Sequence, residues 1–379
     1  MKKAWQGVGL VAALALTVSA CSSTASPAAS TTASTGASPA ASAALTKVRF
    51  VLQWVPQAQF AGYFAAMDQG YFKDAGLDVT IVNGGPDINP MQVVASGGAE
   101  LGTTWVPKML ASREGGTDLV DIGQIFQKSG TLEISFKDKN ITSIKDVKGK
   151  KVGTWLGGNE PELYADMVKN GIDPKTDATI VTQPFDMSQI LTGQTDAAQA
   201  MIYNEYAQVL EATNPATGKL YQPSDFNVID FNKDGTAMLQ DMIFASDKWL
   251  GTGTNSKVAE KFLEASFRGW IYCRDHADSC VQSVLSHGSQ LGASHQAWMM
   301  NEVNGLIWPS ANGVGMLDMA SWNQTVDIAT KYGILKSAPS SGAYRTDLAQ
   351  QALAAIGAGN DTKGTTFVKS TVTLNAGGN

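Results

Sequence analysis

"LQWVPQAQFAGYFAAMDQGYFKDAGLDV", Leu52 to Val79, opens at the end of a short apolar run, breaks at Gln53-Trp54 and takes on helical spacing after Pro56. Read outward from there, Val48–Leu52 is a strand, Ala58–Gln69 a helix and Leu77–Val82 the next strand. A helix between two strands returns the chain to the same end of the sheet, so the two strands run parallel. In open parallel sheets ligands bind outside the carboxyl ends of the strands, where loop amides and helix N-termini converge. Gln53 and Trp54 stand at that place after the first strand, offering a carboxamide and a flat apolar ring.

The alternation continues. Pro90–Ser96 reads as a helix, Leu101–Thr104 as a strand, Lys108–Arg113 as a helix and Leu119–Phe126 as a strand. It then restarts: strands at Lys151–Trp155, Ala178–Thr182, Ala197–Met201 and Phe226–Ile229 are separated by helices at Glu160–Asn170, Met187–Leu191 and Glu205–Ala212. "MQVVASGGAELGTTW" and "SQILTGQTDAAQAMIY" share a plan of short helix, Gly, acidic residue and small-residue strand ending near an aromatic, a weak internal repeat. After Gly235 comes one more strand, "MLQDMIFAS", and then amphipathic segments at Lys257–Arg274, Asp278–Ser286, Ser294–Leu306 and Leu317–Tyr332. The expected fold is α/β with two lobes, each a mainly parallel sheet flanked by helices, and a helical C-terminal part. Lobe one takes residues 46–128 and 237–379, lobe two takes 129–236, and the crossings near Gln124–Thr131 and Gly235–Phe244 serve as the hinge.

Ahead of the first strand, Lys2 and Lys3, an apolar run from Gly7 to Val18 and the small residues Ser19-Ala20 read as a signal peptide over residues 1–20. The run is too short to span a bilayer. Val18-Ser19-Ala20-Cys21 resembles the bacterial lipobox, which makes Cys21 the expected lipidation site. Ser22 to Ala44 contains only Ser, Thr, Ala, Pro and Gly and reads as a flexible tether that spans roughly 24 to 29 Å. The formal charge of −6 becomes −8 without Lys2 and Lys3, and an acidic body without basic runs argues against nucleic acid as a partner. Three His and three Cys in all give a zinc site little support, and no metal is expected. Cys273 and Cys280 would lie about 10.5 Å apart on one straight helix, too far to bridge. A break at His276-Ala277, with Asp278 as N-cap, would allow a disulfide; two buried thiols are the alternative.

Sorted by position after strands, the unusual residues gather in one region. On lobe one Gln53 and Trp54 are joined by Gly84 and Gly85 and by Thr104 and Trp105; on lobe two stand Gly157, Gly158, Asn159 and Glu160, then Phe185, then Tyr203, Asn204 and Glu205. Trp54 can stack on a planar ring. The Gly157–Glu160 loop opens a helix, so its free N–H groups favour an anion or carbonyl oxygen. Glu205 beside Asn204 can accept from a ring N–H or exocyclic amine. Trp105, Tyr203 and Phe185 either close an aromatic box or belong to the core. No Ser, His and acid fall at a recognisable spacing, and His276, His287 and His295 lie in the helical part, so no catalytic residue is assigned.

"LQWVPQAQFAGYFAAMDQGYFKDAGLDVTIV", "VASGGAELGTTW", "IKDVKGKKVGTW" with "GGNE", and "GQTDAAQAMIYNEY" together resemble the solute-binding proteins of ABC importers, in the branch similar to the eukaryotic pyrimidine synthase of thiamine biosynthesis. The resemblance covers roughly Val48 to Gln208. It implies a type II periplasmic-binding-protein-like fold, a Trp after the first strand that stacks on a heterocycle, and a glycine loop, Gly157 to Glu160, that holds the ligand's polar end. It also implies a lipid-anchored, extracytoplasmic, monomeric receptor that delivers a small molecule to a permease and its ATPase, with no cofactor. Ligands known in the branch are thiamine pyrimidine precursors and riboflavin, with sulfonates and nitrate among distant relatives. The synthase's pyridoxal-phosphate Lys and nearby His are replaced here by Thr104 and Lys108, and "TAMLQDMIF" lacks its cysteine motif, so a synthase reaction is not expected.

Overall fold

A computed structural model describes residues 44–379 with the exception of residue 157; the stretch read as a signal peptide, Cys21 and nearly all of the expected tether lie outside the described residues. Ten strands form two five-stranded sheets. In lobe one, β1 (Thr46–Val51), β2 (Leu77–Val82), β3 (Leu101–Thr104), β4 (Leu119–Gln124) and β10 (Met242–Ser246) take the order β2-β1-β3-β10-β4. In lobe two, β5 (Thr131–Phe136), β6 (Lys151–Thr154), β7 (Thr179–Thr182), β8 (Ala197–Met201) and β9 (Phe226–Asp230) take the order β7-β6-β8-β5-β9.

The two orders are one plan used twice. β1 pairs in parallel with β2 and β3, and β6 does the same with β7 and β8. The fourth place in each sheet belongs to the strand that follows a crossing between lobes, and it runs antiparallel to both its neighbours: β10 to β3 and β4, β5 to β8 and β9. β5 has no counterpart in the sequence reading. Its stretch TLEISF alternates apolar residues with Glu133 and Ser135, yet the strand is buried on both faces, so the alternation does not mark a solvent side.

The centre of each sheet is made of small residues for a steric reason. A Cβ at Gly102 in β3 would stand 2.8 Å from the Phe244 ring and 3.0 Å from Val51. The helix Asn255–Asp275 buries Ala259, Phe262, Leu263, Phe267 and Trp270 at three- and four-residue spacing, the expected amphipathic stripe. It crosses the helix Ala61–Asp68 so closely that a Cβ at Gly269 would lie 1.9 Å from the Gly62 carbonyl oxygen. Trp270, Trp308 and Trp322 are buried in this helical part, and Trp249 packs against it.

Cys273 and Cys280 are bridged, their Cα atoms 5.5 Å apart, across a kink at His276. Asp278 does not cap the second helix. Ala277–Ser286 begins after His276 with no side-chain cap, and Asp278 sits in its first turn, where a carboxylate suits the helix dipole. No helix among the described residues is long and apolar enough to cross a membrane.

Candidate functional site

Loops that follow β1, β2 and β3 of lobe one, and β6, β7 and β8 of lobe two, line one cavity of about 360 Å³. Lobe one contributes Gln53, Trp54, Gly85, Thr104 and Trp105; lobe two contributes Asn159, Tyr203, Asn204 and Glu205. The other candidates have different work. A Cβ at Gly84 would stand 2.2 Å from the Leu52 carbonyl oxygen and 2.6 Å from the Trp54 nitrogen, so Gly84 lets two loops cross behind the cavity. Its N–H donates to the Trp54 carbonyl at 3.1 Å, which fixes the Trp54 backbone.

The glycine loop is also partly committed. The Gly158 N–H, expected to face a ligand, donates to Glu160 Oε2 at 2.7 Å, so the loop's own carboxylate occupies it. Glu160 then precedes the helix Pro161–Lys169 as its N-cap residue and does not line the cavity. Gly157 lies outside the described residues.

The residue that organises the lobe-one wall is Asp241, which the sequence reading left inside the strand "MLQDMIFAS". It is 3% exposed and stands one residue ahead of β10. Its Oδ1 accepts from Gln53 Nε2 at 2.7 Å and Gln59 Nε2 at 2.8 Å, and its Oδ2 accepts from Trp105 Nε1 at 2.9 Å. Gln59 in turn accepts from Gln57 Nε2 at 2.7 Å. The visible signal was an acid inside an otherwise apolar strand segment, since a buried carboxylate is kept only where donors meet it. Burial pushes the Asp241 carboxyl up to about 6, against the pull of its three side-chain donors.

On the opposite wall Glu205 accepts from the Met201 N–H at 2.9 Å and from Asn204 Nδ2 at 2.8 Å, and burial pushes it up to about 7. The bonds continue inward. Asn204 Oδ1 lies 2.9 Å from His295 Nε2, and His295 Nδ1 lies 2.9 Å from Glu211 Oε1. His295 therefore stands in the helical part of the chain, as the sequence indicated, yet only one residue behind the cavity wall.

Besides the His295 bonds, two contacts join cavity-lining residues of opposite lobes. Trp54 and Phe185 pack with ring centroids 4.6 Å apart at 55°, and Lys108 Nζ donates to Asn159 Oδ1 at 2.6 Å. Phe185 is held there through its neighbour: Trp155 Nε1 donates to the Pro184 carbonyl at 2.9 Å. One face of Trp54 is thus covered by Phe185. Desolvation lowers the Lys108 ammonium to about 8, and the Glu160 and Asp241 carboxylates oppose the shift. The wall thus carries one cation, the carboxyl groups of Asp87 and Glu205 with Asp241 just behind it, several carboxamides and the rings of Trp54, Trp105, Trp155, Phe185 and Tyr203.

Two α/β lobes of a shared strand order, joined by two crossings and closing on a ligand-sized cavity, make the periplasmic-binding-protein fold. The chain superimposes on the periplasmic aliphatic sulphonate binding protein SsuA of Escherichia coli with a TM-score of 0.58 at 14% identity, covering 80% of this chain and 91% of that one. On the periplasmic nitrate-binding protein NrtA of Synechocystis PCC 6803 the score is 0.57 at 13% identity, covering 83% and 89%. These likenesses concern the fold.

The family model described as NMT1/THI5 like matches residues 57–279, more than half of the chain, and the protein belongs to that family. A Haemophilus influenzae protein named for thiamine biosynthesis is 23% identical over 312 residues, 80% of this chain and 93% of its own length. The formylaminopyrimidine-binding protein of Halalkalibacterium halodurans is 23% identical over 246 residues, 64% of this chain and 71% of its own. A Saccharomyces cerevisiae hydroxymethylpyrimidine phosphate synthase matches over 108 residues, 28% of this chain and 32% of the yeast protein.

Proposed function

We propose that the protein is the substrate-binding receptor of an ABC importer and that it captures a small planar nitrogen heterocycle, a hydroxymethyl- or formylamino-pyrimidine precursor of thiamine, between its lobes. The observation that carries this reading is the cavity wall itself. Aromatic faces and carboxamides surround a space of about 360 Å³, with a single Lys and no Arg in its lining. Such a wall suits a neutral ring with donor and acceptor edges better than an oxyanion, which is held by clustered cations and free backbone N–H groups. The formylaminopyrimidine-binding relative points the same way. In this reading Gln53, Asn204 and Glu205 address the ring's edge, while Trp54, Trp105 and Tyr203 pack on it. The receptor is a monomer, lipidated at Cys21, tethered outside the cytoplasmic membrane, and it hands its ligand to a permease driven by an ATPase.

The test is a titration of residues 44–379, followed by tryptophan fluorescence and calorimetry, with hydroxymethylpyrimidine, its formylamino relative, riboflavin, an alkanesulfonate and nitrate. Saturation by either pyrimidine at micromolar or lower concentration supports the proposal. Saturation by riboflavin or by an anion alone refutes the pyrimidine assignment. Mass spectrometry of the membrane-extracted protein tests the lipid on Cys21.

A further inference from the structure

Lys108 has only part of its hydrogen-bonding capacity in use. An ammonium carries three N–H donors. One goes to Asn159 Oδ1 at 2.6 Å, and the ring of Trp105 lies under the charge, 4.8 Å from Nζ to the centroid. Among the described residues no carboxylate lies within ion-pair distance: Glu160 accepts from Gly158, and Asp241 accepts from Gln53, Gln59 and Trp105. The side chain lines the cavity. A desolvated cation with unspent donors is costly unless an acceptor meets it.

The surroundings hold Lys108 in this place. Its stem runs against Gly158, where a Cβ would stand 2.9 Å from Cε and where the backbone φ of +120° favours glycine. The loop that receives it is anchored to the lobe-two sheet, because Gln199 Nε2 in β8 donates to the Asn159 carbonyl at 2.8 Å. Lys108 belongs to lobe one, on the helix Val106–Glu114 that follows β3, and Asn159 belongs to lobe two. The contact therefore spans the cleft between the lobes.

We propose that Lys108 is the specificity-determining residue of the cleft: it ties the lobes through Asn159 and presents its remaining donors to an exocyclic oxygen, carbonyl, formyl or hydroxyl, on the bound ring. This rests on the reading of the cavity as a heterocycle site. Closure and ligand recognition then reinforce each other, since the Asn159 contact aims the ammonium at the oxygen.

The experiment compares wild type, Lys108→Met and Lys108→Gln with matched ring pairs that differ only in the exocyclic oxygen, hydroxymethylpyrimidine against the corresponding methylpyrimidine first. Thermal melts establish that each variant folds. Lys108→Met loses the Asn159 tie for both members and the ligand's oxygen contact for one, so it should weaken the oxygen-bearing member about tenfold or more beyond its partner, and Lys108→Gln, which keeps a donor, should recover part of that difference. Equal weakening of both members, or of neither, overturns the inference while leaving the heterocycle reading intact. If wild type binds neither pyrimidine, that reading fails, and Lys108 is judged on matched ring pairs chosen by their effect on the wild-type melting temperature. Absence of any oxygen preference there overturns the inference as well. Independently, spin labels at Lys73 and Lys175, exposed on opposite lobes, should report a wider inter-lobe distance in Asn159→Ala than in wild type; an unchanged distance removes the tie between the lobes.

Discussion

Asp121→Asn should move the stability balance towards the mutant as the pH rises. Asp121 lies in β4, 2% exposed; its Oδ1 accepts from the Gly123 N–H at 2.9 Å, and its Oδ2 has no partner. Burial, only partly opposed by the Gly123 bond, pushes the carboxyl from 3.8 up to about 7. The folded chain thus holds a proton that the unfolded chain has lost, and stability drops as the pH climbs from about 4 to about 7. At about 1.36 kcal/mol per pKa unit, the raised carboxyl costs roughly 4 kcal/mol at pH 8, but only about 2 kcal/mol at pH 5. Asparagine keeps the Gly123 acceptor and never ionises; its buried NH₂ adds a penalty of about 1 to 3 kcal/mol that does not depend on pH. The difference in unfolding free energy between mutant and wild type should therefore move in the mutant's favour by about 2 to 3 kcal/mol between pH 5 and pH 8. Urea denaturation of both proteins at the two pH values, with equal slopes, measures it. A difference that stays constant across that range would refute the reasoning, whatever its absolute value.

Removing the bridge with Cys273→Ala and Cys280→Ala together frees a loop of about eight residues and should lower stability by about 2 to 3 kcal/mol, measured by denaturant titration; a loss below about 0.5 kcal/mol would contradict the loop-entropy argument. Gly84→Ala places a Cβ against the Leu52 carbonyl and the Trp54 nitrogen, so it should shift the Trp54 emission maximum and weaken ligand binding; unchanged spectrum and affinity would show that the loops can part. Trp54→Ala should raise the dissociation constant of the pyrimidine about 5- to 150-fold through lost ring contact and burial, and an unaltered value would leave Phe185 as the only partner of that ring.

Much of the architecture was readable because periodicity and burial agreed. The run from Val48 to Val82 alternates strand and helix with Gly at the turns, and the Asn255–Asp275 stripe follows helical spacing, so local pattern and global fold gave one answer. β5 was passed over although TLEISF alternates in twos: Glu133 and Ser135 look like surface residues, yet both faces of the strand are buried. At the cleft, position after a strand led to Trp54, Trp105 and Asn159, which stand in the cavity lining. It could not separate glycines that face the cavity from glycines that let backbones cross, because that depends on contacts such as Gly84 with Leu52, far from the local pattern. Asp241 and Lys108 were hidden for a similar reason. Asp241 meets Gln53 from 188 residues away, and Lys108 meets its partner on the other lobe.

The place of β10 sets an order of assembly. β3 and β4 do not pair with each other; the strand that separates them arrives only after the whole of lobe two, so Gly102 waits for Phe244. Lobe two draws its five strands from one continuous stretch, β5 to β9, and can close first. Until β10 inserts, lobe one carries a slot bordered by two unpaired strand edges, the form of surface that recruits strands from other chains. A nascent or refolding molecule is thus most vulnerable to aggregation in the half that holds its N-terminal strand, and helpers that shield strand edges should act there.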